Sequence, residues 1–285
     1  MKIVHNPDEM QNLCLTYRKA GDTIGLVPTM GALHDGHISL LTAIRQQCTI
    51  SVMSIFVNPT QFGPNEDFAK YPRPFEADCA RAKENGCDII FAPKPEAMYP
   101  QHYATYVNIE TITGKLCGMS RPGHFKGITT VLLKFFNIVV PHAAIFGQKD
   151  AQQVIVLKRM VVDLNCSVNI LVAPIVRETD GLAMSSRNRY LTSAERAASV
   201  ALHKGLAAAE KLYAAGERTA EPLIASVAAQ LSKSDMLTPD YIELVDTVSL
   251  ESQTRLTATA LLAVAVRTRE TRTRLIDNTV LGGCL

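Results

Sequence analysis

His34 and His37 are the residues best placed by type and spacing to do chemistry, because two imidazoles three residues apart can face one phosphate. They close the stretch Val27-Pro28-Thr29-Met30-Gly31-Ala32-Leu33-His34-Asp35-Gly36-His37. The apolar run over 23–27 reads as a short buried strand, and Ile38, Leu40, Leu41 and Ile44 repeat with helical spacing. The histidines therefore belong to a strand-to-helix turn, with His37 at or near the first helical residue. Free backbone N–H groups and the positive end of a helix dipole favour an anion there. Gly31 and Gly36 let the backbone approach a phosphate with no Cβ in the way. Imidazoles at such a helix end can donate to phosphoryl oxygens as charge builds on them. A lone histidine would read as a solvated or capping side chain. The pair points to phosphate chemistry.

Two further polar segments end apolar runs. Asn58-Pro59-Thr60-Gln61 follows the run over 49–57, and Gly147-Gln148-Lys149-Asp150 follows the run over 143–146. Ligands of open α/β sheets bind outside the carboxyl ends of the strands, so three such loops can meet in one crevice. Taken alone, the first would be a plain turn and Lys149 a surface lysine. At a strand-to-helix turn, Lys149 reads as a mobile point charge for a phosphate. In the segment 177–190, Ser185 and Ser186 stand beside Arg187, a few residues after Gly181. That composition suits a mobile loop closing over a triphosphate. Its plainer reading is a solvated linker in which Ser185 or Ser186 caps a helix.

The elements that must carry these loops alternate. Helices are predicted over 8–20, from 37 to about 48, over 74–85 with Gly86 as the stop, over 127–140 and over 151–164. Strands are predicted over 23–27, 49–57, 88–92, 143–146 and 167–172, and residues 103–109 read as an edge strand or an extended loop. This alternation implies a parallel sheet with right-handed crossovers, hence an α/β fold with a Rossmann-like domain over 1–175. Beyond it the alanine-rich stretch 193–233 reads as two helices broken near Gly216. Three β-like runs follow, over 241–245, 260–266 and 272–276. Residues 176–285 are thus expected to form a smaller α+β C-terminal domain.

Composition narrows the function class. The 285 residues are 47% hydrophobic and 20% charged, an ordinary soluble globular balance. A formal net charge of +2 with scattered Lys and Arg gives no electrostatic footprint for nucleic acid. The seven cysteines form no C-x-x-C pair, which fits a reduced, cytoplasmic protein. No secretory leader pattern and no apolar run of membrane-spanning length is present, so no membrane partner is expected.

The His34-Asp35-Gly36-His37 pattern resembles the H-x-G-H of the nucleotidyltransferase and class I aminoacyl-tRNA synthetase superfamily, and the segment around Arg187 resembles its K-M-S-K-S loop. Six ordered blocks carry a closer likeness: PTMGALHDGH (28–37), SIFVNPTQF (54–62), RPGHFKG (121–127), FGQKDAQQ (146–153), DGLAMSSRNRYL (180–191) and RLIDN (274–278). As a set they resemble the pantoate–β-alanine ligase (pantothenate synthetase) family. The resemblance implies a two-step reaction in which ATP and (R)-pantoate give pantoyl adenylate and pyrophosphate, and the β-alanine amine then displaces AMP. It assigns Met30, Gly31, Ala32, Leu33, His34, Asp35, Gly36, His37, Gly147, Gln148, Lys149, Asp150, Val176, Met184, Ser185, Ser186 and Arg187 to ATP.

By the same matching Gln61 and Gln153 hold pantoate, with Gln61 also near β-alanine and with Asn58 and Arg121 as further pocket members. His34 and His37 would steady the charge developing on phosphorus, with Lys149, Ser185, Ser186 and Arg187 on the phosphates and Mg²⁺ on the triphosphate. Metal ligands are not identified; Asp78 and Asp150 are only candidate magnesium neighbours. No residue is an obvious base for the amine. The C-terminal domain would act as a lid that keeps water from the adenylate, hinged near 175–187. A homodimer through the N-terminal domain is implied too. One departure is visible: the family usually has Glu where this chain has Gln148. Two rivals remain on the residues alone, a nucleotidyltransferase acting on a phosphate acceptor and a catalytically silent ATP-binding protein.

Overall fold

The structure, a computed structural model, describes residues 1–64 and 66–285. In chain order its regular elements are β1 (Lys2–Val4), α1 (Pro7–Lys19), β2 (Ile24–Thr29), α2 (Asp35–Arg45), β3 (Ile50–Ile55), α3 (Phe75–Glu84), β4 (Ile89–Phe91), α4 (Pro95–Met98), α5 (Cys117–Ser120), α6 (His124–Val139), β5 (Ala143–Gly147), α7 (Ala151–Asp163) and β6 (Asn169–Ala173). They are followed by α8 (Ser193–Ser199), α9 (Ala201–Ala214), α10 (Ala220–Leu231), β7 (Leu237–Asp246), β8 (Ala260–Thr268) and β9 (Arg274–Leu281). The chain groups into two compact units. The first is Met1–Gly114, Arg121–Gly147 and Val156–Ala173; the second is Lys115–Ser120, Gln148–Ile155 and Pro174–Leu285.

The first unit is a six-stranded parallel sheet in the order β1-β4-β3-β2-β5-β6, with the Rossmann-like alternation read from the sequence. Parallel strands covered on both faces need continuous apolar or small residues, and β3 supplies them, its four central residues from Ser51 to Ser54 all buried. Helix α2 lies close on β2: a Cβ added at Gly25 would meet Ile44 Cγ1 at 2.3 Å. Leu40, Leu41 and Ile44, the apolar face read from the sequence, are buried against Val27, Met53 and Ile90. This packing fixes the loop between β2 and α2.

The second unit carries a three-stranded antiparallel sheet in the order β7-β8-β9. Central β8 is buried along its whole length except Arg267, as expected of a strand paired on both edges. Pro239, which cannot donate to a ladder, lies on edge strand β7 beside a register shift. Leu202, Leu206, Leu223 and Val227 of α9 and α10 form a core with Leu262, Val264 and Leu275.

Of the two readings of residues 103–109 the extended loop is the one seen; Val107 donates its N–H to Thr130 Oγ1 and accepts from Thr129 Oγ1, so helix α6 satisfies its backbone. Other expectations need correction. The alanine-rich stretch holds three helices, because the chain also breaks at Val200, while Gly216 (φ +103°) lies in the break that composition indicated. Edge strand β1 is too short for its periodicity to register. Nor do the compact units follow one cut near residue 175: the short pieces 115–120 and 148–155 group with the C-terminal residues.

Candidate active site

The loop from Met30 to His37 is held from beneath by a carboxylate 46 residues away. Asp78 on α3, 3% exposed, accepts from Ala32 N–H through Oδ2 and from Leu33 N–H through Oδ1, both at 2.8 Å. Thr29 Oγ1 takes the Gly31 N–H at 3.2 Å. Gly31 is needed where it stands. Its φ is +83°, and a Cβ there would come within 2.9 Å of Asp78 Oδ2. Gly36, by contrast, lies in the first turn of α2 with no special backbone conformation. Arg81 bonds Leu33 O at 3.2 Å and pairs with Asp35. Both Asp78 oxygens thus accept from the backbone of this loop.

His34 is the N-cap of α2 and His37 is the third residue of its first turn. The His34 N–H donates to His37 Nδ1 at 3.3 Å, and the ring centroids are 4.0 Å apart. One half of the plainer reading is therefore correct, since the pair does cap the helix. Capping leaves the neutral His37 ring with its proton on Nε2, a donor at the positive end of a helix.

Asn58 and Gln61 flank a single 3₁₀ turn, Pro59–Gln61, after β3. Asn58 Nδ2 donates to Gln61 Oε1 at 3.0 Å and Gln61 Nε2 to Met30 Sδ at 3.2 Å, so this turn and the histidine loop adjoin. The turn is pressed against α6: a Cβ on Gly127 would meet Thr60 O at 2.4 Å and Gln61 N at 2.6 Å. Arg121 does not point away as a ready substrate ligand. Its Nε and Nη2 bond the two Glu66 oxygens at 2.6 Å each, and its Nη1 lies 2.6 Å from His124 Nε2. His124 Nδ1 donates to Gln61 O at 2.7 Å, which leaves Nε2 to accept from Arg121. Burial would raise the Glu66 pKa, but Arg121's hydrogen bonds and charge outweigh it and hold the carboxyl below its ordinary value. Arg121 thereby braces the turn that carries Gln61.

In the second unit Gln148–Asp150 forms another 3₁₀ turn. Lys149 Nζ is 3.7 Å from Asp150 Oδ1, and Asp150 is half exposed. Asn278 on β9 donates Nδ2 to Gln148 O at 2.9 Å and to Lys149 O at 3.0 Å, and its Oδ1 accepts from Gln148 Nε2 at 3.2 Å. The Gln148 carboxamide thereby makes a hydrogen bond to Asn278 that a carboxylate could not donate. Gln153 lies on α7, half-buried. Its neighbour Gln152 is structural, spanning Cys117 N and Lys115 O.

The segment 176–190 is held by several hydrogen bonds. Met184 N–H bonds Val176 O at 2.9 Å and Glu178 N–H bonds Leu182 O at 2.8 Å, a tight hairpin turning at Gly181 (φ +95°). Arg177 pairs with Asp277 at 2.6 Å and also reaches Gly181 O at 3.2 Å. Asn188 Nδ2 bonds Glu178 Oε1 at 2.6 Å and Ala183 O at 3.1 Å. Ser185 Oγ accepts from Arg187 N–H at 3.3 Å, so Ser185 caps the 3₁₀ turn Ser186–Tyr190, as its plainer reading had it. Adjacent Asp277 and Asn278 thus anchor both candidate segments of this unit. Sequence reasoning missed these anchors, together with Glu66 and Tyr99, and named Asp78 only as a candidate magnesium neighbour; the blocks RPGHFKG and RLIDN gave a signal by quoting Gly127, His124, Asp277 and Asn278.

No group of three or more His, Cys, Asp or Glu side chains among the described residues is arranged to hold a metal ion. No helix among them is long and apolar enough to cross a membrane.

Comparison with known proteins gives one family. A family model described as pantoate-beta-alanine ligase matches residues 2–280. The pantothenate synthetase of Acetivibrio thermocellus is 50% identical over 281 residues, covering 99% of each chain. That of Thermotoga petrophila is 50% identical over 282 residues, 99% of this chain and 100% of the relative. The crystal structure of pantothenate synthetase from Thermus thermophilus superposes with a TM-score of 0.92 at 38% identity, over 98% of this chain and 99% of that one. The ligase of Francisella tularensis, whose structure is titled as complexed with beta-gamma ATP and beta-alanine, gives 0.78 at 32% identity over 98% and 97%. The chain belongs to the pantoate–β-alanine ligase family.

Proposed function

We propose that this protein condenses (R)-pantoate with β-alanine to pantothenate, converting ATP to AMP and pyrophosphate through a pantoyl adenylate. The observation that carries this reading is the paired His34 and His37 at the N-terminus of α2, within a chain matched to the family over residues 2–280. A carboxylate is a poor acyl donor, and adenylation turns one of its oxygens into a good leaving group. Attack on the α-phosphorus adds negative charge, which the α2 N–H groups and the His37 Nε2–H are oriented to meet. Lys149, Ser185, Ser186 and Arg187 serve the remaining phosphates as point charge and donors. Gln61 and Gln153 hold pantoate with neutral amides that add no charge.

Among the described residues no group of three or more His, Cys, Asp or Glu could hold a metal ion, so ATP is taken as its magnesium chelate and no catalytic step is assigned to a protein-bound ion. No carboxylate or imidazole is assigned as base for the β-alanine amine, which must lose a proton before attack. Family likeness also supports a cytoplasmic homodimer formed through the first unit.

The test is AMP release from ATP and Mg²⁺ with each substrate alone and with both. Sustained AMP and pantothenate formation needing pantoate and β-alanine together supports the reading. Transfer of AMP to a phosphate acceptor, or ATP binding without turnover, overturns it.

A further inference from the structure

Tyr99 belongs to none of the sequence blocks, yet its hydroxyl donates to Asn58 Oδ1 at 2.7 Å. Thr60 Oγ1, at 2.9 Å, and the Thr60 N–H, at 3.4 Å, reach the same oxygen. Three donors converging on one atom make it the amide oxygen. The other end of the group faces acceptors: Asn58 Nδ2 lies 3.0 Å from Gln61 Oε1 and 3.1 Å from Gly127 O. Turning the amide over would set NH₂ against donors and oxygen against carbonyls at a residue only 1% exposed. The Gln61 carboxamide is set in its turn, with Oε1 occupied by Asn58 and Nε2 directed toward Met30. Burial keeps the Tyr99 hydroxyl protonated, its pKa pushed up to about 12.

We propose that Tyr99, acting through Asn58, is a positioning residue that fixes Gln61 as a hydrogen-bond donor toward the substrate, so that this position takes an acceptor oxygen of a hydroxy acid. The inference rests on the assignment of Gln61 to pantoate made above. It adds a direction to that contact. Gln61 offers substrate N–H only, and the direction is dictated one residue further back by a phenol.

Reversing the polarity at Asn58 is the test. In Asn58→Asp the atom replacing Nδ2 is an acceptor facing Gln61 Oε1, so Gln61 turns its NH₂ inward and shows oxygen to pantoate. The KM for pantoate at pH 8 is expected to rise by ~10–100-fold over wild type, with the KM for ATP nearly unchanged. Asn58→Leu removes the Nδ2 donor without supplying an acceptor toward Gln61 and is expected to raise the same KM less than Asn58→Asp.

Tyr99→Phe combined with Thr60→Val removes both side-chain donors and should raise the same KM several-fold. Should Asn58→Asp not fold, Gln61→Glu puts an acceptor directly before the substrate and must raise the pantoate KM at least as far. A pantoate KM no higher in Asn58→Asp than in Asn58→Leu, or an unchanged pantoate KM in Tyr99→Phe/Thr60→Val, overturns the relay while leaving the ligase reading intact. A wild-type enzyme indifferent to pantoate overturns both.

Discussion

His34 gives its backbone N–H to His37 Nδ1 at 3.3 Å, so the residue that caps helix α2 also fixes the tautomer of its partner. Helix cap and donor are two ends of one ring, and substitution can separate them. In His37→Asn the side-chain oxygen can still take the His34 N–H, but no donor reaches as far as Nε2. Adenylation should slow by ~10²–10³-fold, the usual effect of removing one donor to a developing oxyanion. His37→Ala should lose the same activity and in addition about 1 kcal/mol of stability from the lost cap. Urea unfolding alongside pyrophosphate release separates the two effects.

Asp78→Asn tests the support of the loop. An amide keeps one acceptor and points its NH₂ at the Ala32 or Leu33 N–H, leaving that donor unsatisfied in a buried place. The expected cost is about 2–4 kcal/mol, with a raised KM for ATP and little change for pantoate. An unaltered unfolding midpoint and ATP affinity would show that the loop holds itself.

Gly127→Ala places a methyl group 2.4 Å from Thr60 O, a backbone atom that cannot swing aside as a side chain could. Helix α6 or the Asn58–Gln61 turn must shift, at a cost of about 1–3 kcal/mol. The pantoate KM should rise more than the ATP KM. Steady-state kinetics with each substrate varied will read the difference.

Acid stability of the second unit should depend on Glu195. Its carboxylate is fully buried and accepts from the Glu270 and Thr271 N–H groups and from Thr271 Oγ1 at 2.8 Å each, tying α8 to the turn before β9. Burial would raise its pKa, but these bonds, with those from Thr268 and Thr192, pull it from 4.5 down to about 2. A folded-state pKa below the unfolded value means stability that is present in full above about 4.5 and lost as pH falls through about 2. Glu195→Gln should be less stable than wild type at pH 7, and the gap should close as the pH drops through that window. A gap that stays constant would contradict the assignment.

What the sequence made legible was local. The strand, turn and helix around His34 could be read because the buried strand's apolar run and Leu40, Leu41 and Ile44 each repeat within a few residues. The Asn58–Gln61 turn was legible from proline and its place after a buried strand. Asp78 was not, because nothing local links a helical carboxylate to amides 46 residues back in the chain. Tyr99 lacked any signal for the same reason, as one aromatic residue among prolines. Arg121 was read as a pocket member beside Gln61, but its pairing with Glu66 is decided only by folding. Likewise the residues flanking Ser185–Arg187 are tied by Arg177 to Asp277 and by Asn188 to Glu178, long-range pairs that composition does not show.

The most direct measurement is single-turnover pyrophosphate release from ATP, Mg²⁺ and (R)-pantoate in the absence of β-alanine, in wild type and in His37→Asn. The predicted result is one equivalent of pyrophosphate per site in wild type, slowed ~10²–10³-fold in the variant. Pyrophosphate released only once β-alanine is added, or at the same rate in both proteins, would contradict adenylation at the His34–His37 helix end.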